Sequence, residues 1–206
     1  MKKTTTISLV RHGQVHNPDK IFYGRLPRFG LSETGVSQAR EAGRVLESQS
    51  VAAVFSSPLL RARQTAEQIL ATQPRLKLRQ SQLLLEICSP WDGKPAKEVD
   101  RRSDDIYSGS GPQFEQPQDV VLRVKKFFRR VLRDYSGRHV AAVTHGDVVA
   151  FAVLWANRAE VSARNKAALH KFGISDGYPA TGSITTFLYA SESLQRPPRI
   201  HYTRPP

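Results

Sequence analysis

Arg11 and His12 stand side by side at the end of the apolar-rich run from Thr4 to Val10, and Gly13 follows them. A guanidinium presents a planar fork of donors that matches two phosphate oxygens, and a neutral imidazole can attack phosphorus. Together they describe an anion site with a nucleophile inside it. A short strand would carry both side chains to the edge of a sheet, where open α/β sheets bind their ligands. An isolated Arg-His pair at a strand end is more often a surface or capping pair, so this reading depends on what else converges there.

Three further segments point to the same place. Val51 to Phe55 is a second apolar run, followed at once by Ser56-Ser57-Pro58-Leu59-Leu60-Arg61. With Ser57 as N-cap and Pro58 at the first helical position, Arg61 is expected about one turn into a helix, leaning back toward free amides that favour an anion. Val140 to Val143 leads into Thr144-His145-Gly146, and a helix is expected from Val148 to Ala156. His145 therefore shares the structural address of His12, with Gly146 permitting the turn. In Leu83-Leu84-Leu85-Glu86-Ile87 a carboxylate interrupts an apolar stretch, and desolvation there would raise its pKa toward neutrality. Taken alone, Glu86 reads as a loop carboxylate reaching water, and Arg61 as a solvated helix arginine.

Taken together, these residues resemble the histidine phosphatase superfamily, the phosphoglycerate mutase-like family, whose signature is an Arg-His-Gly triplet. The matches run in order from Leu9 to about Val153: Arg11-His12-Gly13, Gly24-Arg25, Leu31-Ser32-Glu33-Thr34-Gly35 leading to Gln38-Ala39, Ser56-Ser57-Pro58 with Arg61-Ala62 and Gln64-Thr65-Ala66, Glu86, and Thr144-His145-Gly146. Val15-His16-Asn17-Pro18 and Tyr23-Gly24-Arg25-Leu26-Pro27 are similar to a bacterial, phosphatase-type subgroup. The resemblance implies that His12 forms a phosphohistidine, that Arg11, Arg61, His145 and Asn17 bind the phosphoryl oxygens, and that Glu86 transfers protons. It implies no cofactor and no metal. Arg11 and Arg61 are expected to lower the His12 pKa, and His145 to stay protonated only while facing a phosphate dianion.

Within the family, Glu86 is followed by Ile87-Cys88-Ser89-Pro90-Trp91-Asp92-Gly93 rather than by an Arg-His-Tyr-Gly type run, which favours hydrolysis of a small phosphorylated metabolite over mutase chemistry. A cofactor-dependent phosphoglycerate mutase, and a noncatalytic phospho-ligand or nucleic-acid binding module, are the alternatives. Cys88 lacks the arginine and phosphate cradle of a cysteine phosphatase, and His12 and His16 lack a zincin glutamate.

The elements that must hold these residues are legible in outline. Apolar runs give strands near Thr4 to Val10, Val51 to Phe55, Lys77 to Ser81, His139 to Val143 and Ser183 to Tyr189, with at most a short strand at Ile200 to Tyr202. Helices fall between them, including one capped by Ser32. The alternation predicts an α/β fold with a mostly parallel sheet, and the resemblance implies a three-layer αβα sandwich. A chain of 206 residues suits one domain, 1–206, with a variable, lid-like excursion at about 89–118 rich in Pro, Gly, Ser and charge. That excursion and Ser175 to Thr181 are expected to shape the substrate pocket.

No run is long enough to span a membrane, Met1-Lys2-Lys3 does not open a secretory leader, and Cys88 is the single cysteine, so a cytoplasmic setting is expected. The formal net charge of +13, from 31 basic and 18 acidic residues, leaves room for a highly anionic substrate. Lys125, Lys126, Arg129, Arg130 and Arg133 are read as the solvated face of an amphipathic helix, and the absence of a nucleic-acid motif disfavours nucleic acid as a partner. Substrate and oligomeric state are not written in the chain.

Overall fold

Strand periodicity sorts the apolar residues onto two faces, and each face is covered by helices. The computed structural model describes residues 4–101 and 105–206. Its strands are β1 (Thr5–Arg11), β2 (Val51–Ser56), β3 (Leu78–Gln80), β4 (His139–Thr144), β5 (Ile184–Tyr189) and β6 (Arg199–Thr203), and its helices are α1 (Glu33–Glu47), α2 (Leu60–Ala71), α3 (Ala96–Asp100), α4 (Pro117–Asp134), α5 (Gly146–Ala156) and α6 (Ala163–Lys166). The sheet order is β3-β2-β4-β1-β5-β6. The ladders joining β3, β2, β4 and β1 are parallel, whereas β5 and β6 are added antiparallel. The fold is therefore α/β with a mixed, mainly parallel sheet.

Ile7, Leu9, Phe55, Val140 and Ala142 face a core closed by Phe127, Phe128 and Val131 of α4 and Phe151 of α5. Val10, Val54, Ala141 and Val143 face the opposite core, closed by Ala42 and Leu46 of α1 and Ala62, Ala66 and Ile69 of α2. Side chains alternating along each strand thus build both cores of a three-layer sandwich. β4, buried at every position, lies between β2 and β1.

Two expectations at the level of elements change. The helix after β2 begins at Leu60, with the apolar Leu59 as N-cap, and the Ser57 hydroxyl, expected as the cap, accepts from the Leu59 N–H at 3.4 Å and from His145 at 2.8 Å. Arg61 is consequently the second residue of α2. The chain end forms an antiparallel strand on β5 longer than the short strand expected, so its prolines flank an edge, where they are tolerated. Residues 102–104 of the expected excursion lie outside the described residues. Among the described residues no helix is long and apolar enough to cross a membrane.

Candidate active site

The parallel topology brings the ends of β1, β2 and β4 together. The His12 N–H donates to the Thr144 carbonyl at 3.0 Å, tying the end of β1 to the end of β4. The His12 imidazole is 1% exposed, and its Nδ1 lies 2.8 Å from the Gly13 carbonyl. A carbonyl only accepts, so Nδ1 carries the proton and Nε2 carries the lone pair. Arg61 Nε donates to that lone pair at 3.2 Å.

Gly13 serves a packing purpose. A Cβ there would lie 2.2 Å from the Gly35 carbonyl oxygen, so the start of α1 rests directly on the loop that follows β1. Thr65 braces the same loop, accepting from the Gly13 N–H at 3.1 Å and donating to the Arg61 carbonyl at 2.8 Å.

Arg61 is fully buried, with Nη2 donating to the Gly24 carbonyl at 2.7 Å and to His145 Nδ1 at 3.2 Å. Its guanidinium lies 4.7 Å over the Tyr23 ring. Arg11 Nη1 donates to the Pro179 carbonyl at 2.6 Å, and its guanidinium lies 5.1 Å from the Tyr178 ring centre. Arg61 Nη1 and Arg11 Nε are buried with no hydrogen-bond partner. Two buried cationic donors left without acceptors are costly unless an anion completes them.

His145 follows β4. Because Nδ1 accepts from Arg61, Nε2 holds the proton and donates to Ser57 Oγ at 2.8 Å. Its ring lies 5.2 Å from that of His12. Glu86 Oε2 is 3.6 Å from His145 Nδ1. Thr144 Oγ1 donates to the Leu84 carbonyl at 2.7 Å, and Arg25 Nε donates to the Glu86 carbonyl at 2.7 Å, which together fix the segment bearing Glu86. Arg11, His12, Asn17, Glu86, Asp147 and Tyr178 all face one cavity of ≈ 580 Å³.

The family model for the histidine phosphatase superfamily (branch 1) matches residues 7–181. The chain belongs to this superfamily. It is 42% identical over 152 residues to the uncharacterized protein Rv0525 of Mycobacterium tuberculosis, covering 70% of this chain and 75% of that protein. It is 32% identical over 136 residues to the Xenopus tropicalis fructose-2,6-bisphosphatase TIGAR, covering 62% of this chain and 50% of TIGAR. In fold it is similar to the mycobacterial glucosyl-3-phosphoglycerate phosphatase Rv2419c, with a TM-score of 0.77 at 21% identity, over 99% of this chain and 100% of that one.

The electrostatics of this superfamily member follow from burial first. Burial pushes the His12 pKa well below its ordinary value, and the charges of Arg61 and Arg11 lower it further. The arginines act in the expected direction, after burial. Burial, Arg61 and His12 likewise hold His145 well down. Burial and then the nearby Asp147 carboxylate raise Glu86 to about 7, against the pull of Arg61.

The structure thus brings Arg11, His12, Arg61, Glu86 and His145 together. Asn17 reaches the cavity as well, but its amide is engaged with the Ile21 backbone, donating to the carbonyl at 2.9 Å and accepting from the N–H at 3.3 Å. Several supporting residues had no role assigned from sequence. Tyr23 and Gly24 hold Arg61, Ser57 orients His145, and Tyr178 covers Arg11. Asp92 Oδ2 accepts from the Arg25 N–H at 2.8 Å, which links two of the motif matches. Tyr178 lies within Ser175 to Thr181, expected to shape the pocket, and it lines the cavity, but no motif singled it out within that loop.

The ligand atoms of His12, Glu86 and His145 lie within 4.8 Å of one another. The Arg61 guanidinium lies against a nitrogen of each imidazole, so a fixed positive charge opposes a cation there. The donor set suits an anion.

Proposed function

We propose that this protein hydrolyses phosphomonoesters of small metabolites through a phosphohistidine on His12, without a metal ion. The observation that carries this reading is a buried imidazole whose Nε2 lone pair is fixed beside two unpartnered guanidinium donors. In this reaction Nε2 attacks phosphorus in line with the ester oxygen, forming the P–N bond as the P–O bond breaks. Arg11 and Arg61 hold the equatorial oxygens, His145 joins them once the bound phosphate dianion draws a proton onto its Nδ1, and Asn17 offers its remaining amide N–H at the rim. Neutral Glu86 donates its proton to the leaving alkoxide, and its carboxylate then takes a proton from the water that attacks phosphohistidine. Inorganic phosphate leaves and the lone pair returns to His12. The chain acts as a single domain, with the excursion at about 89–118 as a lid-like, variable wall.

The test is a rapid alkaline or detergent quench after mixing with radiolabelled substrate. Acid-labile, base-stable phosphate on the wild type and none on His12→Ala supports the reading, together with hydrolysis that survives EDTA. A fully active His12→Ala protein would refute it. A coupled assay for phosphoglycerate isomerisation, with and without 2,3-bisphosphoglycerate, is expected to give no product.

A further inference from the structure

The cavity carries more than the groups that face the phosphoryl position. Ile21, Phe22, Ala96, Val99 and Ile106 give it an apolar wall, and besides Arg11 and Glu86 its charged described lining residues are Asp147, Lys166 and Asp176. Lys166 is buried, with Nζ 3.2 Å from Asp147 Oδ2 and 5.2 Å from the Tyr107 ring centre. The Tyr107 phenol also donates to Oδ2, and the Tyr178 phenol donates to Oδ1 at 2.5 Å. Lys166 and Asp147 therefore offset each other's charge within one polar cluster. Asp176 stands exposed at the rim, accepting from the Tyr202 phenol at 2.6 Å, with Arg204 at 3.5 Å.

Charge accounting then restricts what can bind. Among the described lining residues the only arginine or lysine side chains are Arg11 and Lys166. Arg11, with Arg61 behind it, is committed to the transferring phosphoryl group, and Lys166 to Asp147. A second phosphate or a carboxylate on the substrate would find no uncommitted cation among the described lining residues, and Asp176, though bridged to Arg204, adds an acceptor and not a donor at the rim. Leaving an anion desolvated and unpaired is a strong source of discrimination. An apolar leaving group, by contrast, would bury surface against α3 and Ile106.

We infer that the leaving-group half of the cavity selects monophosphate esters of uncharged, partly apolar alcohols and discriminates against substrates bearing a second anionic group. This rests on the phosphomonoesterase reading above. It also runs against what the net charge of the chain suggested.

The experiment compares kcat/KM for cyclohexyl phosphate, glycerol 3-phosphate and 3-phosphoglycerate, alkyl esters that differ in polarity and charge more than in leaving-group reactivity. Fructose 2,6-bisphosphate serves as a doubly phosphorylated probe. Cyclohexyl phosphate is expected to exceed 3-phosphoglycerate and fructose 2,6-bisphosphate by about tenfold or more. Asp176→Asn should narrow that ratio by about threefold, and Asp147→Asn, which releases the Lys166 charge, should narrow it further. Because Asp176 is exposed, its variant keeps the test open if Asp147→Asn fails to fold.

Equal or better turnover of the anionic probes, with His12 still trapped as phosphohistidine, would overturn the inference and leave the phosphatase reading standing. Ratios unmoved in a folded Asp176→Asn protein would overturn Asp176 as the opposing charge. No hydrolysis of any probe and no phosphohistidine with p-nitrophenyl phosphate would remove both readings.

Discussion

The His12 imidazole stays neutral, as the proposed nucleophile must, because its surroundings deny it a second proton. Burial, Arg61 and Arg11 all disfavour the imidazolium, so its acidic limb lies well below pH 6.5, while Glu86, raised to about 7, must be protonated to expel an alkoxide. Single-turnover phosphorylation by an alkyl phosphate is therefore expected to hold a plateau at mildly acidic pH and fall above about pH 7. Glu86→Gln should slow that step by about 10²-fold or more, and by much less with p-nitrophenyl phosphate, whose leaving group needs no proton. Quenched-flow measurement of both esters checks this. The same carboxyl affects stability. Its folded pKa of about 7 exceeds its ordinary 4.5, so its favourable contribution is complete below about pH 4.5 and is lost as pH rises through 7. The loss amounts to as much as about 3 kcal/mol at ~1.4 kcal/mol per tenfold change in proton affinity. Urea denaturation at pH 5 and pH 8 should show most of that difference in the wild type and a smaller one in Glu86→Gln.

At the scale of elements, the site depends on close backbone approach. Gly13 and Gly35 let the N-terminus of α1 touch the loop bearing His12, and a Cβ on Gly35 would meet the Gln14 carbonyl at 2.0 Å. Gly35→Ala is expected to lower stability by about 2 kcal/mol or more and to displace His12, since backbone cannot yield as a side chain does. Thermal denaturation and kcat measured on the same sample check it. The junction between β2 and α2 is a second such point. Its serine accepts only a long bond of 3.4 Å from the Leu59 N–H and supports His145 at 2.8 Å. Ser57→Ala should leave the fold intact and reduce kcat about tenfold, because His145 loses the partner that sets its tautomer and orientation. An unchanged kcat would show that the hydroxyl is dispensable.

Over the whole molecule, the surplus positive charge is spread over solvent. Lys126, Arg129 and Arg133 are exposed on α4, and Arg130 and Arg133 approach Asp134 at 3.7 and 2.7 Å. The apolar face of the same helix supplies Val124, Phe127, Phe128 and Val131 to the core. None of these basic residues lines the cavity. Reversing Lys126, Arg129 and Arg133 to Glu is expected to change kcat/KM less than about twofold at physiological salt, where exposed charges are screened over ~8 Å. A tenfold loss would instead mean that this face steers the substrate.

The residues that carry chemistry were legible in the chain because each stands in a local context that a reader can recognise. His12 and His145 follow apolar strands, Arg61 opens a helix after another, and Glu86 interrupts an apolar run. Strand alternation and helical spacing likewise determined the layered fold, because both are local consequences of backbone geometry. Tertiary structure decided what depends on distant atoms meeting. Ser57 reads as a helix cap until His145 is placed beside it, and Tyr178 and Lys166 have no address until Asp147 gathers them. The balance of charge in the cavity belongs to the same class. Net charge is a sum over the chain, whereas the anions a site accepts depend on which few side chains line it and which of those are already paired.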